Sequence, residues 1–183
     1  MPKLLVLFQS HSPDVVHLAE TAAAGARSVR FAEVDLRRFP IADDANDVTG
    51  NPGGRAHRQL EHVDDIGGYD GLILAVGSAP DGGDALVQAL GAFGGSLVNK
   101  VGTVLTPVTG TDRRTVLWSV LSLLADREMI LLPAPFADEG ADDDEATRHL
   151  GKRVAEVVGW VTHARSHHHH EHHHDDPQSH HHH

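Results

Sequence analysis

The residue types best suited to binding chemistry are grouped in three polar segments, each directly after an apolar run. The segments are Gln9–Pro13, Gly77–Gly83 and Thr106–Asp112. At the first of them, Ser12 is placed to cap a helix, Pro13 suits the first helical position, and Asp14 complements the positive end of the helix dipole. A strand that runs straight into a helix N-terminus is where α/β proteins bind phosphate. The first segment is therefore a candidate phosphate site.

A second group of chemically active residues is the histidine-rich C-terminus. Neutral imidazole is a common ligand for Zn²⁺, Ni²⁺ and Cu²⁺, and such a tract chelates without a fold. Two origins remain open, a purification tag and a natural tail; the interruptions by Glu171 and by Asp175-Asp176-Pro177 are unlike an engineered hexahistidine. The predicted ligands for Ni²⁺ or Zn²⁺ are His167, His168, His169, His170, His172, His173 and His174.

Five apolar runs alternate with amphipathic segments, which predicts parallel strands joined by helices. The first run is apolar throughout, as in a strand covered on both faces, whereas the second suits a sheet edge. The predicted strands are Lys3–Phe8, Ser28–Leu36, Leu72–Val76, Lys100–Leu105 and Met129–Leu132. The predicted helices are Asp14–Ala26, Ala56–Ile66, Asp84–Ala92, Arg113–Ala125 and Asp142–Ala164.

These units predict an α/β fold, a flavodoxin-like three-layer sandwich with a five-stranded parallel sheet of order 2-1-3-4-5. In that arrangement the ligand crevice lies at the carboxyl ends of strands one and three. Because all three polar segments follow carboxyl ends of strands, we expect them to converge on one rim of the sheet.

Composition narrows the class of protein. Acidic residues outnumber basic ones by 26 to 15, and the net charge of −11 argues against nucleic acid or an anionic membrane as the main partner. The absence of cysteine excludes disulfides and a cysteine nucleophile, and fits a reducing compartment. No signal peptide and no apolar run of ~20 residues is evident. We expect one cytoplasmic domain over residues 1–165 and a disordered histidine-rich tail over 166–183.

The order of several short motifs resembles a known family. Tyr69-Asp70-Gly71 before an aliphatic strand that ends in Gly77-Ser78, Thr109-Gly110-Thr111, and Glu128–Pro133 are similar to WrbA-type flavodoxin-like NAD(P)H:quinone oxidoreductases. The resemblance implies bound FMN, NAD(P)H as donor, a quinone-like small-molecule acceptor and a homo-oligomer. The FMN-binding residues it implies are Ser10, His11, Ser12, Gly77, Ser78, Ala79, Gly83, Thr106, Thr109, Gly110, Thr111 and Arg113.

The departures from the family fall on the binding segments. Pro13 stands where the family has glycine, which removes a backbone donor. Asp14 brings a carboxylate toward the phosphate position, and two negative groups ~4 Å apart repel by about 4 kcal/mol at a protein surface. Asp81-Gly82 replaces an Arg-Phe pair, so an aromatic contact to the flavin is missing. Two interpretations of Ser12 and Asp14 remain open. They form an ordinary well-capped helix start, or they supply internally the negative partner that phosphate gives elsewhere in the family. Either arrangement would weaken phosphate binding.

Other constellations are weaker. Arg113 and Arg114 lie at a predicted helix start, where their guanidinium groups could form paired hydrogen bonds with an anion. The alternative is that both side chains are solvated. No dinucleotide-binding, P-loop or esterase motif follows a strand. The single tyrosine, Tyr69, and the two tryptophans, Trp118 and Trp160, are predicted to be packing residues.

Two functions follow from these observations. The first is an FMN-binding oxidoreductase that reduces quinone-like acceptors with NAD(P)H, with no side chain assigned as acid, base or nucleophile. The alternative is a non-enzymatic flavodoxin-fold module with a closed flavin site, which acts in interactions or binds metal through its tail.

Overall fold

The computed structural model describes residues 1–9, 12–40, 57–77, 83–107, 110–134 and 143–168. Strands and helices alternate along the chain, as the apolar pattern predicts. The strands are β1 (Lys3–Gln9), β2 (Glu33–Arg38), β3 (Gly71–Val76), β4 (Val101–Leu105) and β5 (Ile130–Leu131). The helices are α1 (Pro13–Arg27), α2 (Gly83–Ala92), α3 (Gly110–Asp126) and α4 (Asp143–His168), and a 3-10 helix spans Val63–Gly68.

The five strands form one parallel sheet in the order β2-β1-β3-β4-β5, which confirms the predicted α/β fold and strand order. The sheet is strongest at its centre, where β1 pairs with β3 over six residue positions, Leu4 with Gly71 through Gln9 with Val76. The last strand is short, since β5 pairs with β4 only at Ile130 and Leu131. The central strands β1 and β3 therefore fix the positions of the loops that leave their amino and carboxyl ends.

Helices cover both faces of the sheet and separate the core into two layers. In β1, Leu4, Val6 and Phe8 pack in the layer under α1 and α4, whereas Leu5 and Leu7 pack in the layer under α2 and α3. All five side chains are buried, because both faces of a central parallel strand are covered. This is why the first run of the sequence has no polar alternation.

The helix predicted over Ala56–Ile66 is wrong. Residues 57–62 are not helical, because this segment runs beside β2 and Gln59 forms a parallel bridge with Arg38, and only a 3-10 helix over Val63–Gly68 follows. Helix α3 was expected to begin at Arg113 and begins three residues earlier, at Gly110.

Two further predicted boundaries are wrong. Strand β2 was expected over Ser28–Leu36 but runs over Glu33–Arg38, because the chain first turns at Phe31, which has a positive φ of 96° and is 71% exposed. Helix α4 continues four residues beyond the predicted Ala164, to His168. The rest of the predicted tail, residues 169–183, lies outside the described residues. None of the described helices has the length and apolar character needed to cross a membrane.

Candidate functional site

Three neighbouring strands end together at the carboxyl edge of the sheet. The register pairs Gln9 of β1 with Val76 of β3, and Ala75 of β3 with Leu105 of β4. Helices α1, α2 and α3 begin a few residues beyond these strand ends. The strand ends from which the three polar segments depart thus lie side by side, as the predicted topology requires.

The predicted binding residues are covered unevenly by the structure, so their role as FMN ligands stays a prediction. Ser10, His11, Ser78, Ala79 and Thr109 lie outside the described residues, and only the backbones of Gly83, Gly110 and Thr111, inside helices, are described. The four whose surroundings can be examined are Ser12, Gly77, Thr106 and Arg113.

The start of α1 agrees only in part with the sequence prediction. Pro13 occupies the first turn, Asp14 is exposed beside it, and the Ser12 carbonyl accepts the first helical hydrogen bond, from Val16 N at 3.3 Å. The Ser12 hydroxyl, however, makes no capping hydrogen bond, so its predicted role as a side-chain cap is wrong. It therefore does not take up the helix N–H groups in place of a phosphate.

Gln9 is a buried polar residue at this edge that sequence reasoning did not select. It is the last residue of β1 and is fully buried. Its side-chain Oε1 accepts a hydrogen bond of 2.9 Å from Leu86 N, in the first turn of α2, while its Nε2 has no partner among the described residues. A buried amide donor without an acceptor is costly, by about 1–3 kcal/mol. The signal was available, because a glutamine ends an otherwise apolar strand.

A cavity of about 300 Å³ opens at the same edge, between the first turns of α1, α3 and α4 and the end of β4. Thr106 is buried in its wall. Arg113 lines it with a buried Nε that has no hydrogen-bond partner within the described ranges of the chain. The neighbouring Arg114 is exposed. Of the two arginines that the sequence offered as anion ligands, only Arg113 is therefore directed toward a cavity.

A hydrogen bond between two side chains crosses one side of this cavity. His17 Nε2 of α1 lies 2.8 Å from Asp144 Oδ1 of α4, and both residues line the cavity together with Asp14. Asp144 thus links the start of α4 to α1. Within the described ranges no group of three or more His, Cys, Asp or Glu side chains could hold a metal ion.

The aromatic residues are placed differently from what was expected. Tyr69 does pack against the core layer under α2 and α3, and its hydroxyl donates a 2.7 Å hydrogen bond to Asp35. Trp118 on α3 and Trp160 on α4 are 69% and 68% exposed, so their prediction as packing residues is wrong. The signal was available, since each occupies a helix face that the amphipathic pattern leaves outside the core.

The Asp35–Tyr69 pair lies on the β2 side of the sheet, away from the cavity. Burial favours a neutral carboxyl, but the hydrogen bond from Tyr69 and the Arg37 guanidinium, 3.4 Å away, lower the pKa of Asp35 below its ordinary value of 3.8. Burial and the donated hydrogen bond raise the pKa of Tyr69 to about 12. The pair is therefore a carboxylate and a protonated phenol at neutral pH, and it holds β2 to the segment before β3.

Comparisons with known proteins agree with this architecture, although no protein-family model matches the sequence. A protein named NAD(P)H dehydrogenase (quinone) from Syntrophobacter fumaroxidans is 30% identical over 160 residues, which cover 79% of this chain and 78% of that protein. A protein of the same name from Acidithiobacillus ferrooxidans is 32% identical over 149 residues, or 75% and 73% of the two chains.

Solved structures resemble the fold at lower identity. The flavodoxin-like, WrbA-like protein from Agrobacterium tumefaciens has a TM-score of 0.53 at 17% identity, covering 88% of this chain and 99% of that one. A short-chain flavodoxin associated with a bacterial microcompartment has a TM-score of 0.59 at 12% identity, covering 86% and 99%. The fold, the order of its motifs and the two relatives lead to one assignment: the chain belongs to the WrbA-type flavodoxin-like family.

Proposed function

We propose that this chain is an FMN-dependent oxidoreductase that passes two electrons from NAD(P)H to quinone-like small molecules. The names of the two relatives, NAD(P)H dehydrogenase (quinone), support the reaction class. Nothing in the fold or the relatives favours the alternative of a non-enzymatic module. The FMN would sit at the carboxyl edge, between the three polar segments.

The observation that carries this proposal is the set of free donors at that edge. Gln9 Nε2, at the end of β1, and Arg113 Nε, on α3, are buried there without a hydrogen-bond partner in the part of the chain that the structure describes. FMN carries a phosphate and several carbonyl oxygens, so its acceptors match this surplus of donors. Most buried donors in folded proteins have a hydrogen-bond partner, and a bound ligand is one way to supply it.

When bound, FMN would supply the hydride and electron transfer itself. The residues of this chain would bind and orient it. The N–H groups of the first turn of α1 and the Arg113 guanidinium are suited to the phosphate, and Gln9 Nε2 is suited to a neutral oxygen next to β1. Two departures oppose tight binding: Pro13 lacks an N–H group, and the exposed Asp14 carboxylate repels the phosphate dianion. We therefore propose weak rather than permanent FMN binding.

An FMN titration tests the proposal. Purified protein is titrated with FMN while flavin fluorescence is followed, and the loaded protein is then assayed for oxidation of NADH and NADPH with a soluble quinone. We expect saturable binding in the micromolar range and quinone-dependent turnover. A colourless protein with no FMN affinity at millimolar ligand would contradict the proposal and support the alternative, a non-enzymatic module.

Arg113 and Arg114 provide a matched pair for locating the site. Arg113→Gln should weaken FMN binding about tenfold, because a charge-assisted hydrogen bond is lost. Arg114→Gln, an exposed change on the same helical turn, should leave the dissociation constant unchanged. Equal losses in both variants would mean that only the general charge of α3 matters.

The proposal extends to assembly. Members of the family that the sequence resembles are homo-oligomers, and we propose the same for this chain. Light scattering on a size-exclusion column should give a mass at least twice the monomer's 19.7 kDa. A monomer at all concentrations would remove assembly from the proposal without affecting FMN binding.

A further inference from the structure

A second cavity, of about 480 Å³, lies on the outer side of α1 and is lined by a group of cationic residues. Its walls come from α1, from β2, from the segment that precedes the 3-10 helix and from α4. It meets the carboxyl-edge cavity only at His17, which lines both. We refer to it as the arginine cavity, after Arg27, Arg58 and Arg148.

The charge of this cavity is opposite to that of the chain as a whole. Among the residues that the structure describes, three arginines line it against one carboxylate, Glu20, and two histidines, His17 and His57, complete its polar lining. The net charge of the protein is nevertheless −11. An acidic protein that gathers three of its few cations around one concave surface presents a local site for anions.

The cationic groups are not used up by internal ion pairs. In the part of the chain that the structure describes, the guanidinium groups of Arg58 and Arg148 make no ion pair or hydrogen bond. Arg27 makes only one long hydrogen bond, of 3.4 Å, to the carbonyl of Val34. The single carboxylate is engaged, since Glu20 Oε1 lies 3.1 Å from His57 Nε2.

The walls of the cavity are held in place by the fold. The His57 ring packs edge-on against Phe8, with centroids 5.1 Å apart and planes at 85°, and its side chain is only 15% exposed. On the other side, the backbone of α4 at Arg148 lies directly against Gly25 of α1. Arg58 is held at the cavity because it is the next residue after His57. The three guanidinium groups are thus mounted on three separate segments around one space.

We propose that the arginine cavity binds the phosphate groups of a small phosphorylated molecule. Guanidinium groups form paired hydrogen bonds with phosphate oxygens, and arginine is preferred to lysine for this reason. The volume lies within the range of small-molecule pockets, about 300–1,000 Å³. The site is separate from the proposed FMN site and does not depend on the reaction proposed above.

Calorimetry with inorganic pyrophosphate tests the proposal. The full chain is titrated at about pH 8, where histidine side chains are mostly neutral and the histidine-rich C-terminus contributes little charge. We expect saturable binding that weakens with added salt. A parallel titration with ADP separates two sources of the same chemistry: equal affinity indicates recognition of phosphate alone, and tighter ADP binding indicates a nucleotide. No heat with either ligand at millimolar concentration would overturn the proposal.

Variants of opposite sign make the test specific. Arg148→Gln should weaken pyrophosphate binding about tenfold, and Glu20→Gln should strengthen it about threefold by removing the one carboxylate among the described lining residues. The control is Arg153→Gln, an exposed arginine on the same helix that does not line the cavity. If Arg148→Gln fails to fold, Arg27→Gln replaces it. Equal binding by Arg148→Gln and the native chain, or equal losses in Arg148→Gln and Arg153→Gln, would overturn the proposal.

Discussion

Gly25 of α1 and Gly151 of α4 each lie against the backbone of the other helix. A Cβ atom added to Gly25 would lie 1.9 Å from the carbonyl oxygen of Arg148, and one added to Gly151 would lie 2.0 Å from that of Ala22. Both separations are far below contact distance, so neither helix tolerates a side chain here without moving. The close approach joins the first and last helices of the domain.

Alanine at either glycine should therefore destabilise the protein. We expect Gly25→Ala and Gly151→Ala each to lower the free energy of unfolding by about 2 kcal/mol or more, because the clash is with backbone and cannot be relieved by a side-chain rotation. Urea unfolding followed by circular dichroism measures this.

Gly159 provides the matched control for this prediction. It lies on the same helix as Gly151, and a Cβ atom there would meet nothing within 4 Å. Gly159→Ala should stabilise the protein by about 0.5–1 kcal/mol through helix propensity. Destabilisation of similar size in all three variants would contradict the close approach of the two helices.

The Asp35–Tyr69 hydrogen bond predicts a defined pH range of stability. The pKa of the Asp35 carboxyl is lower in the folded protein than in the unfolded chain, so the pair stabilises the fold at pH values above the unfolded pKa. This stabilisation is lost as the pH falls through the folded pKa. The pKa of the Tyr69 hydroxyl is raised from 10 to about 12 on folding, so the pair stabilises the fold below pH 10. This stabilisation is lost as the pH rises toward about 12. The pair therefore stabilises the fold from mildly acidic to mildly alkaline pH.

Tyr69→Phe should cost about 1 kcal/mol at neutral pH, after allowance for the Asp35 side chain being 37% exposed. Because the chain has one tyrosine, absorbance at ~295 nm reports its ionisation directly. Little tyrosinate should form at about pH 10 in the native protein, and Asp35→Asn should move the midpoint down toward that pH. An unshifted midpoint in the native protein would contradict the hydrogen bond.

The start of α1 offers a gain-of-binding prediction. Pro13→Gly with Asp14→Asn should strengthen FMN binding tenfold or more. The first change restores a backbone donor, and the second removes the repulsion between the carboxylate and the phosphate, which is about 4 kcal/mol at most. Asp126→Asn, an equal charge change at the exposed C-terminal end of α3, is the control and should have no effect. Unchanged affinity in the double variant would remove this account of weak binding.

Removal of the histidine-rich C-terminus separates metal binding from folding. Truncation after Arg165 keeps the hydrogen bond of 2.6 Å that its Nη2 donates to Asn99 and removes residues 166–183. Ni²⁺ binding, measured by calorimetry, should be lost, while the metal-free melting temperature should change by less than about 2 °C. A larger fall in melting temperature would mean that the removed residues pack on the domain.

Much of the fold was predictable because the apolar pattern is strong. The run Leu4–Phe8 is typical of a strand covered on both faces, and five alternating units favour the observed strand order. The positive φ of Phe31, the shift of β2 and the contact of Gly25 with α4 were not, since they depend on tertiary packing that no local pattern encodes. The arginine cavity was missed for the same reason, because its three arginines are widely spaced in sequence.

The site was predictable at the level of segments and less so at the level of side chains. The carboxyl edge follows from topology, and Arg113 lines the cavity at that edge, while its role as an FMN ligand stays a prediction. Ser12 was expected to cap α1 because its residue type favours that role, but the hydroxyl is not used in that way. Gln9 was overlooked, although a glutamine at the end of an apolar strand must find hydrogen-bond partners when buried.

The exposed positions of Trp118 and Trp160 determine what fluorescence can report on this protein. Both indoles face water in the folded chain, on the helices of opposite layers. Their emission should already resemble that of an unfolded chain, so denaturation will change it little. A shift to shorter wavelength would instead reveal that another molecule has covered one of these helices, which makes the two residues natural reporters of association.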